Sequence, residues 1–341
     1  MTTTQVNVLN IGLMLASCVA AFVFPFQVFL LSYAVLGPLH YLTQISWLHT
    51  RGYFTTRKRD YLLLLALCLC LLACKYIFID AFEIDARSWA VTAMLVAIAG
   101  AGGMALAARP VVTAALIAAA LLLAPWIASL DSVQIVILTF LPTIIHVYCF
   151  TAAFILYGAL RGRSVSGIAS LVVFAACTAS FFVYRPHAAG EVGEYVRSTY
   201  GLFSKLNVYL ADWLGLPPLD GDTGVYGSQA GLALMRFIAF AYTYHYLNWF
   251  SKTSVIQWHK IPRAWAVANV VLWLGAIALY VYDYRLGMLV LFSLSWLHVV
   301  LELPLDHRTF AGIGREISAL VRRSPSSLPA RSAQPSPSTT S

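Results

Sequence analysis

The chain has 341 residues, 60% hydrophobic and 11% charged, with a mean hydropathy of +0.77. A soluble domain carries about 25% charged residues, so this chain lacks the polar surface to cover a water-soluble globule and belongs to the membrane class. The net charge of +8 is no nucleic-acid footprint, because the basic residues are spread over short loops and no basic stripe interleaves with aromatics.

A membrane-crossing helix needs about 20 predominantly apolar residues. Ten such stretches follow one another at 7–24, 26–49, 60–79, 88–107, 111–129, 133–160, 165–184, 229–250, 264–282 and 285–303. They predict an all-α polytopic transmembrane helix bundle occupying 1–307. No Lys or Arg precedes Arg51, so the first stretch lacks the positive start of a secretory signal and reads as a retained helix. Pro25 separates the first two spans, and Arg109–Pro110 the fourth and fifth, since proline cannot continue the hydrogen-bonded ladder.

The long connection 185–228 contains Leu202, Phe203, Leu206, Tyr209, Leu210, Trp213 and Leu214 at helical spacing, with Ser204, Lys205, Asn207 and Asp212 on the other face. It predicts an external amphipathic helix lying on the interface, either a structural cover or a lid. After the last span, 308–323 is a basic amphipathic juxtamembrane stretch suited to an anionic leaflet. The Ser/Pro-rich residues 324–341 are expected to form a disordered tail.

The loop charges supply an orientation. With ten spans and a cytoplasmic N-terminus, the cytoplasmic segments hold 15 of the 22 basic residues: Arg51, Arg57, Lys58, Arg59, Arg109, Arg161, Arg163, Lys252, Lys260, Arg263, Arg308, Arg315, Arg322, Arg323 and Arg331. The opposite side holds ten of the 14 acids. This is the positive-inside pattern, and it places both termini in the cytoplasm, as expected for a bacterial inner-membrane protein. All six cysteines fall in apolar segments without a CxxC, which argues against a disulfide framework or a zinc finger.

Four of the eight histidines lie inside spans: His40, His146, His245 and His298. Their spans are the second, sixth, eighth and tenth, all running the same way, and each histidine lies about 20–24 Å from its span's start at 1.5 Å per residue. They share one layer of the membrane. Ionisable groups there are expensive and face the bundle interior, and neutral imidazole is the commonest metal ligand. Four at one depth can close on one iron, or pair as axial ligands to haem. An isolated intramembrane histidine more often bonds to a neighbouring helix.

The neighbours extend this picture. Glu302, four residues after His298, is a further ligand or an orienter of the imidazole, and Gln44 stands in the same relation to His40. Tyr148 and Tyr242 lie close by in sequence. Arg236 is an intramembrane charge suited to an acidic substrate group, or to snorkelling. Pro38 and Pro142 precede His40 and His146, where kinks would tilt the rings inward.

The layout resembles the Brp/Blh-type β-carotene dioxygenases, bacterial polytopic proteins in which histidines inside membrane helices hold one non-haem iron. The resemblance implies that His40, His146, His245 and His298 are metal ligands and that dioxygen cleaves a lipophilic, isoprenoid substrate. That family has two ligand histidines one helical turn apart, and no HxxxH occurs here. Fatty-acid desaturases and haem A synthase resemble the chain less, since their histidine boxes and cysteine pair are missing. The expectation is a membrane oxidoreductase with histidine-bound iron acting on an isoprenoid or fatty substrate. The competing classes are a transporter or lipid-handling protein whose histidines relay protons or pack helices, and a haem-binding protein.

Overall fold

The computed structural model describes residues 1–52, 57, 59–107, 109–184, 186, 192–252, 257 and 260–322. The expected tail at 324–341 lies outside the described residues. Helices account for nearly all of the described chain, and no strand occurs among them.

Ten long helices match the ten apolar stretches: α1 (Thr3–Val23), α2 (Pro25–Arg51), α3 (Tyr61–Ala81), α4 (Arg87–Leu106), α5 (Pro110–Ile127), α6 (Asp131–Gly162), α7 (Val165–Val183), α11 (Gln229–Ser251), α12 (Arg263–Tyr282) and α13 (Tyr284–Arg322). Three short helices lie between α7 and α11: α8 (Glu194–Tyr200), α9 (Ser204–Trp213) and α10 (Gly221–Gly227). Nine of the long helices are apolar and long enough to cross a membrane. The tenth, α11, has 23 residues, about 34 Å at 1.5 Å per residue, but carries Arg236, His245 and several tyrosines.

Local chemistry sets the helix starts. Thr2 accepts a hydrogen bond from the Gln5 N–H while the Gln5 side chain accepts from the Thr2 N–H, a capping box that opens α1. Ser164 and Ser228 cap α7 and α11. Pro25 and Pro110 begin α2 and α5, where a missing N–H costs nothing.

Two helices widen where they carry proline. In α2 the segment Ser32–Leu36 is π-helical and runs directly into Gly37–Pro38. In α6 the π segment is Val136–Phe150, with Pro142 inside it. Proline removes one donor and crowds the preceding turn, and the wider i→i+5 turn accommodates both effects without ending the helix.

Helix α11 is the axis of the bundle. All but four of its 23 residues are buried, and α1, α2, α6, α7, α9 and α10 pack around it. A second core lies among α3, α4 and α13, with Leu64, Met94, Ala97 and Val300 at its centre. Helix α5 packs on α4 and turns most of its surface outward, with Leu122 81% exposed. In a membrane that apolar face meets lipid rather than water.

Two expectations change in detail. Helix α13 does not stop at 303: it continues through Pro304 to Arg322, 39 residues in all. The stretch 308–323 is therefore continuous with the tenth long helix as far as Arg322. A helix forms in the 185–228 connection as α9, but with a different inner face. Asn207, read from the sequence as polar-face, is fully buried and accepts a hydrogen bond from the Tyr200 hydroxyl at 2.5 Å. Trp213 and Leu214 are exposed, while Leu206 and Leu210 pack inward. A polar side chain goes inside here because it finds a buried partner.

Candidate metal centre

The four histidines singled out by the sequence converge. One ring nitrogen from each lies within 4.8 Å of the other three. His245 Nε2 is 3.2 Å from His40 Nε2, and His298 Nε2 is 3.0 Å from His146 Nε2. All four residues are buried, the most exposed being His245 at 7%. They come from α2, α6, α11 and α13, four helices that are far apart in sequence.

The spacing suits a small ion. At metal–nitrogen bonds of about 2.0–2.1 Å, tetrahedral ligands lie about 3.3 Å apart, cis octahedral ligands about 2.9 Å and trans ligands about 4.1 Å. The two short pairs fall near the cis and tetrahedral distances. The widest separation, 4.8 Å, exceeds the trans distance by about 0.7 Å and the tetrahedral one by about 1.5 Å, so a modest contraction encloses one ion. It does not suit haem. A macrocycle between two axial imidazoles would have to pass through the space filled by the other two rings, whose centroids lie 4.7–5.4 Å from their neighbours.

The surroundings hold the rings in place. Thr151 Oγ1 lies 2.8 Å from His245 Nδ1, which leaves Nε2 facing the centre. The Tyr41 ring stacks on His298 at 4.2 Å and 25°. Trp249 meets His40 edge-on at 5.5 Å and is itself anchored by donation from Nε1 to Thr43 Oγ1 at 3.0 Å. Tyr41 and Tyr246 share a hydroxyl–hydroxyl hydrogen bond of 2.8 Å. A Cβ at Gly37 would come within 3.2 Å of both hydroxyls, so the absence of a side chain there leaves room for the pair.

Glu302 joins the quartet from the metal side. Its Oε2 is 3.7 Å from His146 Nε2, not from an outer Nδ1, and has no hydrogen-bond partner. A carboxylate so placed suits a fifth ligand better than an orienter. Gln44 leaves His40 Nδ1 without a hydrogen-bond partner and lies beside Glu302 instead. The Nδ1 atoms of His40, His146 and His298 have no hydrogen-bond partner.

The other sequence candidates lie elsewhere. Tyr148 stacks on Phe174 at 4.7 Å and faces α7, because residues two apart on a helix point to opposite sides. Tyr242 packs against Phe29, Tyr33 and Tyr246 and makes no ring contact with the four histidines. Arg236 donates both guanidinium NH groups to the Pro186 carbonyl at 3.2 Å and lies over the Phe22 ring. It therefore ties the connection between α7 and α11 to the bundle, nine residues from His245. Sequence reading missed Thr151, Tyr41, Trp249 and Asp306. Asp306 alone left a signal: His298, Glu302 and Asp306 repeat every four residues along one helix face.

No protein-family model, curated protein or solved structure matches this chain.

Proposed function

We propose that this chain is an integral membrane oxidoreductase in which His40, His146, His245 and His298 hold one non-haem iron, with Glu302 as the adjoining carboxylate, to oxidise or cleave a lipophilic substrate with dioxygen. The observation that carries it is the convergence of four buried imidazole nitrogens within 4.8 Å. Imidazole suits iron, zinc and copper alike. Iron is preferred because a mixed histidine and carboxylate set is the usual home of non-haem iron that works on oxygen. Iron bound there would supply oxygen binding and activation.

The chain's own part is positional. The helices hold the rings at one depth, and Thr151 fixes the orientation of His245. Tyr41 and Trp249 brace His298 and His40. The apolar walls exclude water, and both dioxygen and an isoprenoid or fatty chain partition into that environment. The resemblance to Brp/Blh-type dioxygenases supports the same substrate class. In this reading α11 is the eighth of ten spans, both termini are cytoplasmic, and the host membrane is a bacterial inner membrane. Reporter fusions at the N-terminus and after Arg322 test that orientation, and activity of a periplasm-dependent reporter at either end overturns it.

Metal analysis of the detergent-purified protein tests the centre. The expected result is about one iron per chain, lost when any of the four histidines becomes alanine. A Soret band redirects the reading to haem. Absence of metal, with the four variants fully functional in the cell, leaves the paired imidazoles as helix-packing hydrogen bonds. Expression in a β-carotene-producing host addresses the substrate, and undiminished colour rules out carotene cleavage.

A further inference from the structure

Two of the six cysteines are brought together by the packing of α1 on α7. The two helices run parallel and in register. Near their starts the Asn7 amide donates to Ser166 Oγ at 2.9 Å. Near their ends the Phe22 and Phe181 rings lie 4.8 Å apart. Both contacts join residues offset by 159 positions, and Cys18 and Cys177 have that same offset. Cys18 follows Asn7 by eleven residues and precedes Phe22 by four, which are about three turns and one turn of helix. All three therefore share one face of α1. Ser166, Cys177 and Phe181 repeat the same spacing on α7.

The contacts at the cysteines agree with this register. Cys18 Sγ lies 3.7 Å from the hydroxyl of Ser180, one turn beyond Cys177, and the two thiols interact with each other. Both residues are buried. Helix axes pack about 8–10 Å apart, and Cα atoms lie about 2.3 Å from each axis, so directly facing Cα atoms approach to about 3.4–5.4 Å. A disulfide requires about 4.4–6.8 Å, and level, facing positions on neighbouring helices meet that requirement. The seam is also open to lipid. Val19, Val172, Ala175, Ala176 and Ala179 flank it and are exposed, and the three alanines are too short to cover the sulfurs.

We propose that Cys18 and Cys177 form a redox modification site, a thiol pair that closes to a disulfide between α1 and α7 when a lipophilic hydroperoxide reaches it from the bilayer. One thiol takes the terminal peroxide oxygen and becomes a sulfenic acid, and the alcohol leaves. The second thiol attacks that sulfur, the S–S bond forms and water leaves. Two thiols and one hydroperoxide thus give one disulfide, one alcohol and one water. The bridge fastens together two helices that both pack on the axial α11. The class of oxidant follows from the membrane placement of α1 and α7. The pairing itself does not, and neither depends on the histidine centre.

Full-length wild-type protein in phosphatidylcholine vesicles is treated with cumene hydroperoxide, then unfolded, alkylated, digested and read by mass spectrometry. The expected result is a linked peptide pair containing Cys18 and Cys177, with both thiols lost from alkylation and both recovered by phosphine reduction. In Cys18→Ser and Cys177→Ser the link is absent, and the variant that keeps the attacking thiol holds a sulfenic acid that dimedone captures. The proposal is overturned if the treated wild type gives no Cys18–Cys177 link, or if links among the other four cysteines are as abundant. The wild-type measurement decides even where a variant folds poorly. Metal content does not enter the readout, so loss of the histidine centre leaves this result standing, and the reverse.

Discussion

Replacing Thr151 by valine tests the centre without touching a proposed ligand. The two side chains have nearly the same shape, and Thr151 is 1% exposed, so the packing around it is conserved. What disappears is the partner of His245 Nδ1, now at 2.8 Å. When His245 binds metal through Nε2, its proton must sit on Nδ1, and in the variant that buried N–H has nothing to donate to. Without metal the ring has an escape. It can move the proton to Nε2 and donate to His40 Nε2 at 3.2 Å, leaving Nδ1 as a bare acceptor. The penalty therefore falls mainly on the metal-bound form. An unsatisfied buried donor costs about 1–3 kcal/mol, and loss of such an outer partner typically weakens metal affinity by about 10–100-fold. Competition against a graded series of chelators, with metal content read by plasma emission, measures the change. Thr151→Ser restores the hydroxyl and should restore affinity to near wild type. Equal affinity of Thr151→Val and wild type, both correctly folded, would refute the assignment of Nε2 as the ligand atom of His245.

Three further outcomes are expected. Gly231→Ala should destabilise the fold, because the added Cβ would sit 2.2 Å from the Gly224 carbonyl oxygen and 2.6 Å from that of Val225. Backbone must move, at a cost of about 1–3 kcal/mol, read as an earlier thermal midpoint in detergent. Arg236→Gln should leave metal content unchanged, since the guanidinium binds Pro186 and not the site; metal loss in a folded variant would contradict that placement. Tyr41→Phe and Tyr246→Phe should be non-additive in a double-mutant cycle, with a coupling of about 0.5–1.5 kcal/mol for their shared hydrogen bond. Simple additivity in thermal unfolding would show that the pair contributes nothing to stability.

The sequence by itself determined the all-helical class, the long apolar helices and the shared depth of four histidines. These follow from composition, length and the rise per residue, and none depends on how helices face one another. Even the capping residues Thr2, Ser164 and Ser228 act within their own turns. Which side chains meet was decided only in three dimensions. The π segments at Ser32–Leu36 and Val136–Phe150 change the rotation of every residue that follows, so a regular 3.6-residue wheel cannot predict the facing of His40 or His146. Tyr148 went astray because it stands two residues from His146, on the opposite side of the helix, and Gln44 because the group beside it, Glu302, lies on another helix. Thr151 acquires a role from the approach of α6 to α11, across 94 positions of sequence. Asn207 was placed outside on polarity alone, yet the Tyr200 hydroxyl makes the interior its better environment. Depth along a helix is a local property and can be counted from the chain. Direction around a helix depends on its irregularities and its neighbours, and that is what brought His40, His146, His245 and His298 to a common point.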